Sequence, residues 1–226
     1  MKKIIGITGL ASSGKSTIGN IIVENNDDWE VLSFASHLKD VVSLLFSWDR
    51  ALLEGDTTES REWREKPDDF WSKKLGKEFT PRFAMQFFGT NLLRNQFYED
   101  IWVSSVEKKI IDGTKNVVIT DVRFPNEIDM IKKMGGIIWR VERGVLPFWY
   151  ETARKIGQDK AREMNGFEPL NKELPNDIVN HLLKQVHPSE WRWIGYDNPK
   201  TIFKNNSSLE TLKSKVLESL SKLKIR

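Results

Sequence analysis

Residues Gly9-Leu10-Ala11-Ser12-Ser13-Gly14-Lys15-Ser16 fit the pattern G-x-x-x-x-G-K-[ST] at every fixed position. Lys3-Ile4-Ile5-Gly6-Ile7-Thr8, just before them, reads as a short buried strand. Ser13 to Glu24 reads as a helix, with Ile18, Ile21 and Ile22 at helical spacing. A strand that turns through glycines directly into a helix is compatible with few folds. The glycines let the turn curl until several backbone N–H groups point at one anion. The helix behind it adds the positive end of its dipole. A turn of this kind cradles a triphosphate, with Lys15 reaching the β- and γ-phosphates and the Ser16 hydroxyl placed to ligate Mg²⁺. Gly9, Ala11, Ser12, Ser13, Gly14, Lys15, Ser16 and Thr17 are the expected contacts to ATP. The bland account is a flexible Gly/Ser turn with a chance lysine, and it leaves the flanking strand and helix unexplained.

The remainder of the chain continues the alternation of strand and helix. Trp29 to Phe34 reads as a second strand, followed by a helix with Leu38, Val41, Val42 and Leu45 on one face. Ser47 to Gly76 is polar and tryptophan-rich, and reads as loop with short helical pieces. Pro81 opens a long helix, as its fixed φ favours, and another helix covers Asp100 to Ile111. Val117 to Thr120 and Ile137 to Val141 read as buried strands, with a helix from Pro125 to Gly135-Gly136 between them. Residues 143–198 show no clear period, which inside a compact domain suggests a lid or binding loop. Thr201 to Lys204 is a last strand. Ser207 and Glu210 form a capping-box pattern ahead of a helix with Leu209, Leu212, Val216 and Leu220 inward. This order predicts an α/β fold of the P-loop NTPase kind. Its parallel sheet would have about five strands, with helices on both faces and ligands at the strands' carboxyl ends. The expected organisation is one domain over 1–226, with an acceptor-binding region at about 36–110 and a lid insertion at about 143–198.

Composition narrows the setting. Apolar residues make up 39% and charged residues 30% of the chain, the balance of a soluble globular protein. Cysteine is absent, which excludes disulfides and thiolate metal sites and suits a reducing cytoplasm. The chain opens straight into its first strand and reads as lacking a leader or membrane span. A formal net charge of +3 is too mild to argue for stable nucleic-acid binding. The sequence leaves a homodimer open.

Two absences bear on the reaction. Guanine-binding proteins carry N-K-x-D, and the nearest match, Asn171-Lys172-Glu173-Leu174, lacks the aspartate. Hydrolytic motors usually place a glutamate after the aspartate that ends the third strand, whereas Asp121 is followed by Val122. Both favour transfer to a bound acceptor over hydrolysis. Asp121 should emerge beside the phosphate loop and hold Mg²⁺ through water, with Arg123 binding phosphate in the same cleft. The alternative is that Asp121 caps the helix opened by Pro125 and that Arg123 pairs with Glu127. In the Pro81 helix, Arg82, Gln86, Thr90 and Arg94 fall at steps of four, opposite Met85, Phe88 and Leu92. They form either an acceptor-binding wall, with Gln86 on a base edge and Arg82 or Arg94 on a monophosphate, or a solvated face. Gly89 lies between, where a side chain would block a ligand or a backbone.

These segments together resemble the bacteriophage deoxynucleoside monophosphate kinase family. The resemblance is carried by Gly9–Ser16, Phe34–Asp40, the Gln86-x-x-Gly89-Thr90-x-x-x-Arg94 stretch, Asp100–Val103 and Asp121–Glu127. His187-Pro188-Ser189-Glu190 and Asn205–Glu210 add to it. It implies the reaction ATP + dNMP → ADP + dNDP, with Mg²⁺ and a closing lid. It implies Lys15, Asp121, Arg123 and Arg143 as catalytic residues, and Ser16 and Asp121 at the metal. Asn205 joins the ATP contacts. Lys39, Arg61, Arg82, Gln86, Thr90, Arg94, Arg123 and Glu127 would serve the acceptor. The stretch Leu146–Leu183 departs from shorter relatives and leaves the lid arginine open among Arg154, Arg162 and Arg192. A dephospho-coenzyme A or deoxynucleoside kinase would use the same loop. A non-catalytic nucleotide switch is the rival of another class, with the nine tryptophans as its interface rather than as packing.

Overall fold

The structure is a computed structural model that describes residues 2–171, 174 and 176–223. In chain order its elements are β1 (Ile4–Thr8), α1 (Lys15–Glu24), β2 (Trp29–Leu32), α2 (Ser36–Phe46), α3 (Thr58–Glu65), α4 (Asp69–Leu75), α5 (Pro81–Gln86) and a π-helix (Phe87–Phe97). There follow α6 (Ile101–Asp112), β3 (Asn116–Ile119), α7 (Pro125–Lys133), β4 (Ile137–Glu142), α8 (Tyr150–Met164), α9 (Asn176–Gln185), α10 (Pro188–Trp191), β5 (Thr201–Lys204) and α11 (Leu209–Leu223). They gather into two compact units, Met1–Leu32 with Asp112–Arg226, and Ser33–Ile111.

The first unit is built on a five-stranded sheet in the order β2-β3-β1-β4-β5, with every pairing parallel. Parallel neighbours need crossover connections, and the covering helices bury the strands on both faces. β1 accordingly is buried at all five of its positions. Its residues alternate. Ile5 and Ile7, with Val118, Trp139 and Val141, share one apolar cluster with Ile18, Ile21 and Ile22 of α1 and Leu212, Val216 and Leu220 of α11. On the opposite face Gly6 lies so close to α7 that a Cβ there would stand 2.5 Å from Ile131 Cδ1. The sheet is therefore held between α1 and α11 on one side and α7 on the other, as the alternation of elements predicts.

Within 143–198, where the sequence suggested no period, the described residues form α8, α9 and α10. α8 runs for 15 residues, and its inward positions are Tyr150, Ala153 and Gly157. Two of these three are small, so no apolar stripe marks the helix. A Cβ on Gly157 would run into the carbonyl oxygen of Ile194, and one on Gly195 (φ +80°) into that of Arg154. The backbones of α8 and of the turn at Trp193–Tyr196 therefore touch directly, with Trp193 and Ile194 buried beside them. Residues 172, 173 and 175 lie outside the described residues, and with them part of the N-K-x-D comparison. The helix near the carboxyl terminus begins one residue later than its capping-box pattern suggests. Ser208, not Ser207, caps it, its Oγ accepting from the Thr211 N–H at 3.3 Å. No helix among the described residues is long and apolar enough to cross a membrane.

The second unit is centred on aromatic residues. Phe46, Trp48 and Phe79 form a core with Val42, Leu53 and Ala84. The Phe46 ring stacks on Trp48 at 4.6 Å between centroids and meets Trp71 edge-on at 5.1 Å. Aromatic rings bury large area, but a buried indole N–H needs an acceptor. Trp48 Nε1 donates to Asp68 Oδ2 at 2.8 Å and Trp71 Nε1 to the Phe46 carbonyl at 3.2 Å. Tryptophans 48, 63 and 71 are thus packing residues. On α2 the inward positions are Val42 and Phe46, while Val41 and Leu45, expected inside, are 42% and 50% exposed.

The long helix expected from Pro81 changes character after one and a half turns. Thr80 caps α5, accepting from the Phe83 N–H at 3.1 Å, and Pro81 takes the first helical position. From Phe87 to Phe97 the chain is a π-helix, with i→i+5 hydrogen bonds and a wider turn. Gly89 is buried within it. A Cβ there would stand 2.7 Å from Leu38 Cδ2, and its carbonyl accepts from Trp102 Nε1 at 2.9 Å. The glycine makes room for a neighbouring side chain of the same unit.

Candidate active site

The loop between β1 and α1 is closed by conformations that few side chains adopt. Gly9 has φ +152°, Ser12 +58° and Gly14 +106°, in the left-handed half of the map where glycine carries no Cβ penalty. At Gly9 a Cβ would stand 2.5 Å from the Val141 carbonyl oxygen, and at Gly14 it would strike Asn205 Nδ2. Asn205 follows β5 and braces the loop, its Nδ2 donating to the Ser13 carbonyl at 2.8 Å. In this way Asn205, expected among the ATP contacts, supports the backbone of the loop. Ser13 Oγ is buried with no hydrogen-bond partner. Ser16 is exposed and Thr17 half-buried in the first turn of α1.

Lys15 folds back onto this loop. Its Nζ donates to the carbonyls of Gly9 and Leu10, both at 2.9 Å. Its pKa is lowered from 10.5 to about 8, first by burial and next by the Arg123 guanidinium, while Glu190 and Asp121 act in the opposite direction. Lys15, Asp121, Arg123 and Glu190 therefore share one electrostatic neighbourhood. Arg123 Nη1 donates to Ser189 Oγ at 3.2 Å and Glu190 Oε1 at 3.1 Å, and the Ala11 N–H donates to Glu190 Oε2 at 3.3 Å. Glu190 is no part of the site expected from sequence, although its segment His187-Pro188-Ser189-Glu190 carries part of the family resemblance; it is 179 residues from Ala11, and spacing gives no hint that the two meet.

Glu127, expected at the acceptor, is buried and supports the backbone. Its Oε2 accepts from the backbone N–H groups of Arg123 at 2.6 Å and Phe124 at 3.0 Å, satisfying donors at the start of α7. Glu127 thus pairs with the backbone of Arg123 and leaves its side chain to Ser189 and Glu190. Arg143, directly after β4, is exposed.

Beneath the loop lies a buried ion pair. Thr8 Oγ1 donates to Asp197 Oδ2 at 2.8 Å and Arg140 Nε to the same oxygen at 2.9 Å, while Arg140 Nη2 closes a second bond to Oδ1. Burial works against the Arg140 charge, and the Asp197 hydrogen bonds more than restore it, so its pKa stands above the ordinary value. The sequence holds a signal for this pair: an arginine inside the apolar strand Ile137-Ile138-Trp139-Arg140-Val141 requires a buried acid somewhere.

The remaining expected residues belong to the second unit. Lys39 Nζ pairs with Glu54 at 2.5 Å. Arg61 donates to the carbonyls of Gly55 and Asp56 at 2.9 and 3.1 Å. Arg82 pairs with Glu65. Gln86 and Thr90 are exposed and Arg94 half-buried. Arg64 lies against Gly55, and its pKa is lowered by burial first, then by Arg82, with Arg61 a smaller contribution of the same sign. Arg64 thus stands close enough to Arg82 and Arg61 to be repelled by both.

Among the described residues no cluster of three or more His, Cys, Asp or Glu gathers at a point. Mg²⁺ does not need one, because it takes one or two protein oxygens and fills its octahedron with water and phosphate. Ser16 and Asp121 carry hard oxygens of the kind it takes, and Ser13 Oγ in the same loop is buried without a hydrogen-bond partner.

A family model for deoxynucleotide monophosphate kinase matches residues 56–145. A protein of Acanthamoeba polyphaga mimivirus, assigned by name to the deoxynucleotide monophosphate kinases, is 34% identical over 62% of this chain and 74% of its own length. The deoxynucleoside-5'-monophosphate kinase of Escherichia phage T5 is 26% identical over 59% of this chain and 73% of its own. Among solved structures, a shikimate kinase from Aquifex aeolicus aligns over 98% of both chains at 15% identity, with a TM-score of 0.46. With its complete phosphate loop and a relative that similar over three-quarters of that relative's length, the chain belongs to the deoxynucleotide monophosphate kinase family.

Proposed function

We propose that the chain transfers the γ-phosphoryl group of ATP to deoxynucleoside 5'-monophosphates, giving the diphosphates. The observation that carries the reading is the phosphate loop. Glycines occupy two of its three positive-φ positions, and a lysine already lies across two of its carbonyls. Phosphoryl transfer calls for positioning and neutralised charge more than for covalent chemistry. Lys15 would release Gly9 and Leu10 and take up phosphate oxygens. Arg123 would hold the acceptor phosphate in line, and Arg143 would spread charge on the transferring group. Ser16 and Asp121 would hold Mg²⁺, which when bound neutralises the β- and γ-oxygens. The acceptor would meet Gln86, Thr90 and Arg94, with Lys39, Arg61 and Arg82 as further contacts. Residues 143–198 would act as the lid, hinging about the parts fixed at Tyr150–Gly157 and Trp193–Tyr196.

The test is ATP-dependent diphosphate formation across all dNMPs and NMPs, with 5-substituted pyrimidines included. Turnover with at least one dNMP and none with nucleosides or dephospho-coenzyme A is the expected result. Turnover on dephospho-coenzyme A alone would replace this acceptor class with another, and nucleotide binding with no turnover on any acceptor would favour a switch.

A further inference from the structure

The phosphate loop already holds an anion, and it belongs to the protein. The carboxylate of Glu190 accepts the Ala11 N–H through Oε2 at 3.3 Å and the Arg123 guanidinium through Oε1 at 3.1 Å. Ser189 Oγ receives the same Arg123 nitrogen at 3.2 Å, and the His187 ring nitrogen Nδ1 lies 2.8 Å from that hydroxyl. One short turn, His187 to Trp191, therefore carries a carboxylate to the groups a phosphate needs: a loop N–H, an arginine and the field of Lys15. A carboxylate and a phosphate oxygen compete for the same donors. Two such anions cannot occupy one cradle, because each unit of like charge within hydrogen-bond distance raises the energy of the other.

We infer that Glu190 is a positioning residue that stands in for phosphate: it holds Arg123 and the loop arranged while the site is empty, and the incoming phosphate displaces it. This rests on the reading of Gly9–Thr17 as a phosphate loop. It adds that the 187–191 turn is the element that must leave, so nucleotide binding loosens it while tightening the loop. Arg123 is kept beside Lys15 despite their mutual repulsion because the Glu190 carboxylate offsets the two positive charges. Once phosphate arrives, that task passes to the ligand.

The experiment compares wild type with Glu190→Gln, which keeps shape and hydrogen bonding but removes the charge. Binding of inorganic tripolyphosphate is measured by calorimetry without divalent cation, so metal coordination does not enter. The variant should bind roughly three- to tenfold more tightly, the scale of one ordinary net hydrogen bond, since the amide keeps its shape and part of its hydrogen bonding. With Mg·ATP and an accepted dNMP, its KM for ATP should fall by a similar factor while kcat stays within about twofold, since chemistry follows displacement. Hydrogen exchange in residues 187–192 of the wild type should quicken when tripolyphosphate binds. A variant with unchanged or weaker tripolyphosphate binding overturns the inference, as does a kcat loss at constant KM, which would make Glu190 a fixed support for Arg123 during transfer. Slower exchange of 187–192 on binding overturns it too. If neither protein binds tripolyphosphate, the phosphate-loop reading falls and this inference with it.

Discussion

Replacing Lys15 by methionine separates what the ammonium does for phosphate from what it does to the fold. Methionine keeps the stem and removes the charge. In the native protein the ammonium is partly buried, 2.9 Å from two carbonyls, and its pKa falls from 10.5 to about 8 through burial first and Arg123 second. A folded-state pKa below the unfolded value means that the folded chain binds this proton less well, so the charged form opposes folding. At about 1.4 kcal/mol per pKa unit, the fall from 10.5 to about 8 sets a ceiling of about 3 kcal/mol at neutral pH. Residual solvent contact lowers that ceiling, and the two carbonyls left without their donor take back about 1 kcal/mol. Lys15→Met should therefore be more stable than wild type at pH 7 by about 1–2 kcal/mol, or about 2–8 °C in Tm for a chain of this size. The gap has a defined pH course. Wild type gains stability as pH rises from about 8 to 10.5, where the folded ammonium has released its proton and the unfolded one has not. The variant lacks that gain, so the two should converge near pH 10.5. Urea denaturation of both proteins at pH 7 and in alkaline buffer measures this, and a transfer assay on the same samples should find the variant inactive. A variant less stable than wild type at pH 7, or a gap unmoved by pH, would refute the reasoning and show that the two carbonyl bonds outweigh the cost of burying the charge.

Asp197→Asn keeps the shape of its side chain but leaves the buried Arg140 charge with only Glu142, at 3.7 Å, and should lower stability by about 3 kcal/mol; a urea midpoint within experimental error of wild type would show that water or Glu142 compensates the charge. Gln86→Ala should raise KM for the accepted dNMP and leave that for ATP unchanged, and an equal loss for both would remove the residue from the acceptor site. Arg143→Ala should lower kcat far more than it raises either KM, and a rise in KM at constant kcat would place it in ground-state binding instead. Hydrogen exchange between Pro147 and His187 should slow partly with an ATP analogue and strongly with a bisubstrate mimic; equal protection in all states would make that segment a fixed subdomain.

The strands are legible in the sequence because a parallel sheet writes itself as short apolar runs between helices, and all five appear within a residue or two of their expected places. The phosphate loop is legible because its chemistry demands fixed spacing. Three features lie beyond periodicity. α8 packs through Ala153 and Gly157, and small residues carry little hydrophobic signal. The π-helix at Phe87–Phe97 differs from an α-helix in hydrogen-bond register, which side-chain pattern reports poorly. Glu190 and Asp197 reach the phosphate loop and its entry strand from 179 and 189 residues away, and only tertiary structure brings them there. Glu127 differs for another reason. A glutamate three residues into a helix can reach back to the backbone or out to a ligand, and only its burial against the Arg123 and Phe124 N–H groups decides between them.

The strand order also bears on how the chain is made. β1 pairs with β3 through Ile4 and Val117 and with β4 through Ile5 and Ile137. Its two neighbours are thus among the later parts of the chain to be synthesised, and at about 5–20 residues per second β1 waits on the order of ten seconds for the first of them. During that time a largely apolar strand has both edges open, the condition under which nascent chains pair wrongly. Ser33–Ile111, a compact unit with its own aromatic core, leaves the ribosome within that interval. Slowing elongation between codons 9 and 116 should therefore increase the aggregated fraction of newly made protein, and slowing it after codon 142 should not.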